Sequence, residues 1–156
     1  MTPDLHSTPA TRPLILRGRK VVGGQSEGAA LVTTAFISGW GGVDPRTGTI
    51  IETHHPLRGQ SFKGRVLVFP GAKGSSGWSN TFHMCRLMGT APAAFVFTHM
   101  TTKMALGAVV THAPAMTDFD LDPLSHIVTG DWVRVNADEG WLEVSPAAAG
   151  CAVDMN

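Results

Sequence analysis

The chain has 156 residues, which is the length of one domain. Its 12 basic and 12 acidic residues give no net charge, and the sequence has no basic stripe of the kind that binds nucleic acid. Charged residues make up only 15% of it, against roughly 25% in typical soluble domains, so we expect a partner to cover part of the surface. No apolar stretch approaches the ~20 residues of a membrane-spanning helix, and Cys85 and Cys151 suggest no disulfide framework, so we expect a cytoplasmic protein.

The first half of the chain predicts short strands separated by glycine-rich turns. Residues 1–12 lack the apolar segment of a signal peptide, and we expect a disordered arm there. Residues 44–48 predict a type I turn, because Pro45 fixes φ at its second position and Gly48 accepts a positive φ. The predicted strands are Leu14–Leu16, Val21–Val22, Ala29–Phe36 and Thr49–Thr53.

The middle of the chain predicts a strand, a helix and a second strand. Arg65–Phe69 is almost continuously apolar, which is typical of a strand buried on both faces. Ser76–Met88 predicts a helix, because its apolar side chains recur every three or four residues up to a stop at Gly89. Ala93–Phe97 predicts a second buried strand. This order implies a right-handed βαβ unit with parallel strands.

The last third predicts a helix and a closing hairpin. Lys103–Val110 is a second helix candidate, weakened by Gly107. Trp132–Val135 and Trp141–Val144 flank a turn and predict antiparallel strands. We therefore expect one α/β domain over residues 13–145, with a β-rich, barrel-like half and a single βαβ unit, followed by a loose tail over 146–156.

The strongest candidate site is the loop between the buried strand and the helix. It contains Gly71, Lys73, Gly74 and the serines Ser75 and Ser76, which stand where the helix should start. A helix N-terminus can bind an anion through backbone N–H groups, and a serine can present its oxygen there or serve simply as the N-cap. The loop has neither a Walker A pattern nor a nucleophile elbow. A serine could act as a base only where a positive environment lowers its pKa.

The second candidate is the glycine-rich segment 38–44, whose backbone could approach a ligand closely or could form an ordinary turn-rich loop. Trp40 and Trp78 flank the two loops and could line a pocket or belong to the core.

The remaining chemistry-bearing residues predict structural roles. His54 and His55 are adjacent, so on a strand they would point to opposite faces and would rarely bind one metal ion. His99 and His112 lack a cysteine or acid at ligand spacing, which argues against a zinc site. Cys85 lies on the apolar face of the predicted helix and is most simply a core thiol.

Several segments together resemble the small, swivelling domain of the aconitase X family, over roughly residues 13–145. They are GGVDPRTGTII (41–51), HHPLRGQSFKGRVLVFPGAKGSSGWS (54–79), GTAPAAFVF (89–97) and ALGAVV (105–110). The resemblance implies a β/β/α swivelling domain. It also implies a separate small subunit that closes over a large subunit carrying an iron–sulfur cluster or related metal site. The implied chemistry is the dehydration of a small hydroxy acid, either cis-3-hydroxy-L-proline or mevalonate 5-phosphate.

The resemblance also implies roles for individual residues. The serine that removes the α-proton falls on Ser75, and Gly77 stands where aconitases have an arginine. We expect this chain to hold no cofactor, because two distant cysteines cannot hold a cluster. Our first hypothesis is the small subunit of cis-3-hydroxy-L-proline dehydratase, and the alternatives are mevalonate 5-phosphate dehydratase and a non-catalytic binding module. The expected substrate-binding residues are Lys73, Gly74, Ser76, Gly41, Gly42, Val43 and Asp44.

Overall fold

The computed structural model describes residues 13–74 and 77–147, within which the chain forms twelve strands and three helices. The helices are α1 (Trp78–Met88), α2 (Thr102–Thr111) and α3 (Pro123–His126). The strands are β1 (Leu14–Arg17), β2 (Arg19–Val22), β3 (Gln25–Val32), β4 (Ile37–Ser38), β5 (Val43–Asp44), β6 (Thr49–Ile50), β7 (Val66–Phe69), β8 (Ala72–Lys73), β9 (Ala94–Phe97), β10 (Ala115–Thr117), β11 (Trp132–Asn136) and β12 (Trp141–Ser145).

Eight strands form one sheet in the order β1-β12-β11-β3-β7-β9-β10-β2. The four strands β3, β7, β9 and β10 are parallel, and the pairs on either side of them are antiparallel. The two edge strands, β1 and β2, are joined by Gly18 alone, so the sheet curls into a nearly closed barrel. This architecture confirms the expected α/β fold with a barrel-like, β-rich part.

The strands β7 and β9 are buried on both faces, as their continuous apolar sequences predict. Val66 and Val68 face the barrel interior, whereas Leu67 and Phe69 face the helices. By contrast, β11 and β12 bury only alternate residues, which gives the antiparallel half one solvent-facing side.

Two parallel crossovers cover the helical face of the sheet. The predicted unit β7–α1–β9 is confirmed by the register Leu67↔Phe95. The expectation of a single βαβ unit is wrong, because α2 leads from β9 into β10, which pairs parallel to β9. Sequence reasoning missed this second unit because β10 has only three residues. The two helices pack on each other through Trp78 and Gly107.

Several predicted boundaries also shift. The strand expected over Ala29–Phe36 is β3, which starts earlier and ends at Val32. The strand expected over Thr49–Thr53 is reduced to the two residues of β6. The short helix α3 was not predicted, although Asp122 accepts a hydrogen bond from the backbone N of Leu124 and Pro123 occupies the first turn.

The predicted arm over residues 1–12 and most of the predicted tail lie outside the described residues. Among the described helices, none has the length and apolar character needed to cross a membrane.

Candidate functional site

The site lies where the parallel strands β7 and β9 end. Because carboxyl ends of neighbouring parallel strands share one edge of a sheet, the loops that follow them meet. The carbonyl of Pro70, directly after β7, accepts hydrogen bonds from the backbone N atoms of Thr98 (3.2 Å) and His99 (2.8 Å), directly after β9. At Gly71 a Cβ atom would lie 3.0 Å from the carbonyl oxygen of His99, so glycine permits this close approach.

The first glycine-rich loop joins the same edge through the pairing of β4 with β8. Ser38 is in register with Lys73, so residues 39–42 run beside the serine loop. A Cβ atom on Gly39 would lie 2.8 Å from Cα of Trp78, and one on Gly77 would lie 2.7 Å from Cβ of Trp40. The two glycine-rich loops predicted as separate candidates therefore pack against each other at the N-terminus of α1.

Glu52 ties the two loops together. Its Oε1 accepts a hydrogen bond from the backbone N of Ser38 (3.1 Å), and its Oε2 forms an ion pair with Nζ of Lys73. Burial disfavours the charged carboxylate, but the hydrogen bonds from Lys73 and Ser38 outweigh it and hold the pKa of Glu52 below its ordinary value. Lys73 is therefore engaged within the protein, and sequence reasoning did not single out Glu52.

Lys103 places a second ammonium group at the loop. It lies in the first turn of α2 and donates a hydrogen bond from Nζ to the carbonyl of Gly74. Sequence reasoning placed Lys103 in a helix but gave it no role at the site. The signal that could have found it is topological, because a residue just after β9 must lie beside the loop that follows β7.

The proposed base and its neighbour, Ser75 and Ser76, lie outside the described residues, between Gly74 and Gly77. Helix α1 begins at Trp78 with Gly77 as its N-cap residue, at a φ of 86°. The predicted helix start, Ser76, lies outside the described residues, within which the helix extends from Trp78 to Met88. An arginine at position 77 would be strained by the positive φ, and its Cβ atom would lie too close to the side chain of Trp40.

The predicted site residues do not all converge on this edge. Lys73 and Gly74 belong to the serine loop, and Gly41 and Gly42 lie in the adjacent loop. Val43 is buried in the core. Asp44 forms an ion pair with Arg46, which holds its pKa below the ordinary value through hydrogen bonds from the Arg46 side chain and backbone.

The turn that follows Asp44 packs on the far end of α1. The carbonyl of Pro45 accepts a hydrogen bond from Oγ1 of Thr90 (2.6 Å), just beyond the C-terminus of that helix. A helix of this length spans about 16 Å, so Pro45 and its neighbour Asp44 lie well away from Gly74.

The two tryptophans beside the loops have different environments. Trp78 is buried among Phe69 and Phe82, so it belongs to the core. Trp40 is 73% exposed and lies on Gly77, at the rim of the loop pair. Only Trp40 is therefore available to a ligand or a partner.

The histidine next to the site is structural. His55 is buried, its Nδ1 accepts a hydrogen bond from the backbone N of Leu57 (3.0 Å), and its Nε2 lies 3.1 Å from the carbonyl of Phe36. Both ring nitrogens therefore have hydrogen-bonding partners within the protein. Cys85 is a buried core thiol, and burial raises its pKa.

The resemblance implies an iron–sulfur or related metal centre on the large subunit. Within residues 13–74 and 77–147, no three His, Cys, Asp or Glu residues are grouped so that they could hold a metal ion. The described part of the chain therefore does not fit such a centre.

The described groups suit the binding of an anion. The N-terminus of α1, where Gly77 provides no side-chain cap, lies at the loop edge, and Lys103 adds a positive charge nearby. An anionic substrate group and a developing negative charge would both be stabilised here.

The overall fold of the chain matches that of a known structure. The holo-form crystal structure of Thermococcus kodakaraensis aconitase X matches with a TM-score of 0.80 and 38% identity, covering 85% of this chain and 99% of that one. A family model described as the aconitase X swivel domain matches residues 15–144, and the chain belongs to that family.

Two relatives of known name agree with this assignment. The phosphomevalonate dehydratase small subunit of Thermococcus gammatolerans is 42% identical over 129 residues, covering 83% of this chain and 96% of that protein. The protein of the same name from Methanocella arvoryzae is 39% identical over 130 residues, covering 83% and 98%. The chain is therefore a small subunit of the aconitase X type of dehydratase. The names do not support the hydroxyproline substrate of our first hypothesis.

Proposed function

We propose that this chain is the small subunit of a two-subunit dehydratase acting on mevalonate 5-phosphate. The observation that carries the proposal is the identity of about 40% to phosphomevalonate dehydratase small subunits over nearly their whole length. The site adds support, because a phosphate needs cationic donors and the loop edge offers an ammonium group and a helix N-terminus.

In this proposal Ser75 removes the proton next to the substrate carboxylate. The unperturbed pKa of a serine hydroxyl is far above neutral, so its alkoxide must be stabilised by positive groups. The N-terminus of α1, with its backbone N–H groups, can supply that environment. The same N–H groups stabilise the negative charge that develops on the substrate. The group that receives the departing hydroxyl belongs to the large subunit.

The substrate is tested on the complex of this chain with its large subunit. Mevalonate 5-phosphate and cis-3-hydroxy-L-proline are offered to the same preparation, and kcat/KM is measured for each. We expect the phosphorylated substrate to be preferred. A preference for hydroxyproline would restore our first hypothesis, and an intact complex that turns over neither substrate would favour a non-catalytic module.

The base is tested by Ser75→Ala, with Ser76→Ala as the matched control. Loss of a general base lowers kcat by about 100-fold or more, whereas we expect Ser76→Ala to stay within about 10-fold of wild type. Copurification with the large subunit shows that each variant assembles. Near-normal turnover of an assembled Ser75→Ala complex would refute the assignment, and the opposite order of the two variants would move the base to Ser76.

A further inference from the structure

We propose that Lys103, and not Lys73, is the side chain of this subunit that binds the anionic end of the substrate. The proposal rests on the proposed function, since it concerns the same site. It assigns a specificity-determining role to a residue whose sequence position alone gives no such indication. The ligand chemistry is an oxyanion of the substrate, a phosphate or a carboxylate.

The first step is that the positive charge of Lys73 is already paired with a carboxylate. Its Nζ pairs with a Glu52 carboxylate that is only 18% exposed and that also holds the backbone N of Ser38. Lys73 could still donate a hydrogen bond to a ligand, but the adjacent Glu52 carboxylate offsets its positive charge and so weakens its attraction for an anion. Lys73 therefore braces the two loops, and its positive charge is cancelled before substrate arrives.

The second step is that the charge of Lys103 is not cancelled. The ion pairs found within residues 13–74 and 77–147 use other basic residues, namely Arg19, Arg46, Lys73 and Arg134. The partner of Lys103 is a backbone carbonyl, that of Gly74, which is neutral. One of the three ammonium N–H groups meets this carbonyl, and the other two can still donate to a ligand.

The third step is the position of the ammonium group. Helix α2 starts at a well-formed cap, in which Oγ1 of Thr101 accepts a hydrogen bond from the backbone N of Met104 (3.2 Å). This cap fixes the first turn, and Lys103 reaches from it to the carbonyl immediately before Ser75. A substrate held by Lys103 would therefore lie beside Gly74 and near the N-terminus of α1.

The experiment compares Lys103→Gln with Lys103→Arg and with Lys63→Gln in the two-subunit complex. Lys63 is an exposed lysine that precedes β7, so it lies at the opposite edge of the sheet. The loss of a charge-assisted hydrogen bond that is equally strong in the ground state and the transition state raises KM and leaves kcat unchanged. For Lys103→Gln we expect KM to rise about 10- to 100-fold with kcat within about 3-fold of wild type. Lys103→Arg should recover most of the loss, and Lys63→Gln should match wild type.

Inhibition by small anions identifies the substrate group. Inorganic phosphate and acetate are each titrated as inhibitors of wild type and of Lys103→Gln. Selective loss of phosphate inhibition assigns Lys103 to a phosphate, and selective loss of acetate inhibition assigns it to a carboxylate. Unchanged KM and unchanged inhibition by both anions would overturn the proposal.

Assembly and the proposed function are controlled separately. If Lys103→Gln does not copurify with the large subunit, Lys103→Met replaces it in the same assays, because methionine keeps the length of the aliphatic stem. If neither variant assembles, Lys103 has a structural role, and the proposal is overturned. If the wild-type complex turns over neither substrate, the proposed function fails, and calorimetric titration of wild type and Lys103→Gln with inorganic phosphate and acetate still tests Lys103. Equal affinity of the two proteins for both anions would then overturn it.

Discussion

The two lysines at the serine loop show how one partner changes the role of a residue. In the sequence, Lys73 stands within the glycine-rich loop and is the obvious anion ligand, whereas Lys103 is one residue of a helix. The structure pairs Lys73 with Glu52 and leaves Lys103 with a carbonyl. The pairing partner comes from a segment 21 residues earlier in the chain, so no local pattern could reveal it.

The interactions of Glu52 with Lys73 and with the backbone of Ser38 predict a pH-dependent contribution to stability. Because the folded-state pKa of Glu52 lies below its ordinary value of 4.5, the contribution is fully present above that value and is lost as pH falls through the folded-state pKa. We expect Glu52→Gln to lower the free energy of unfolding by about 1 kcal/mol at neutral pH, since Lys73 loses its anionic partner. At acidic pH, where wild-type Glu52 is also neutral, the difference should vanish.

Urea unfolding of both proteins across this pH range measures the effect. Glu139→Gln, the same change in the exposed β11–β12 turn, is the matched control and should differ little from wild type at any pH. A constant difference between Glu52→Gln and wild type down to the most acidic point would contradict an ionic role for Glu52.

Helix α2 contains Gly107, which weakens the helix locally but leaves the space that Trp78 of α1 occupies. Glycine in a helix interior costs about 1 kcal/mol relative to alanine, which is why the sequence predicts a weakened helix. In the structure, a Cβ atom on Gly107 would lie 2.2 Å from Nε1 of Trp78. The indole ring is 1% exposed and packs on Phe82 at a centroid distance of 4.4 Å, so it has no room to retreat. The helix therefore accepts a weaker backbone in order to pack closely on α1.

We expect Gly107→Ala to destabilise the protein by about 2 kcal/mol, because overpacking against a buried ring outweighs the gain in helix propensity. Val109→Ala, at an exposed position of the same helix, is the matched control and should be near neutral. Midpoints of chemical unfolding measure both variants. If Gly107→Ala proved as stable as Val109→Ala, the close approach of α2 to Trp78 would be refuted.

The closure of the sheet brings together segments that are distant in the chain. The parallel strands β7 and β9 end at one edge, and the β4–β8 pairing adds the first glycine-rich loop to it. Exposed apolar side chains occur near this edge, including Trp40 beside Gly77 and Phe36, whose ring lies 5.0 Å from that of His99. Exposed apolar side chains grouped in this way are typical of a surface that a partner covers.

Much of the central architecture could be predicted from the sequence. The short, almost continuous apolar run Arg65–Phe69 predicts a strand, whereas the apolar side chains that recur every three or four residues in segment 76–88 predict a helix. The turn predicted at residues 44–48 is confirmed by the hydrogen bond from the backbone N of Thr47 to the carbonyl of Asp44 (3.2 Å), which is the i to i+3 bond of a β-turn, and by the φ of 70° at Gly48. These features depend on local sterics and on burial, which are encoded in neighbouring residues.

Other features could not be predicted in the same way. The strand β10 and the helix α3 are too short to show a period, and the start of β3 carries polar residues because that part of the strand is half exposed. The convergence of Glu52, Lys73 and Lys103 depends on strand pairing. Local propensity carries no information about such pairing.

The sequence by itself determined the family, the strand–loop–helix that holds Ser75 and the glycines that let two loops approach. It could do so because motifs and backbone conformations are short-range properties of the chain. Only the tertiary structure decided which lysine pairs with a carboxylate, why a side chain at position 77 would be strained and where Asp44 lies. Those outcomes depend on contacts between residues far apart in the chain, and electrostatic and steric energies are set by distance in space.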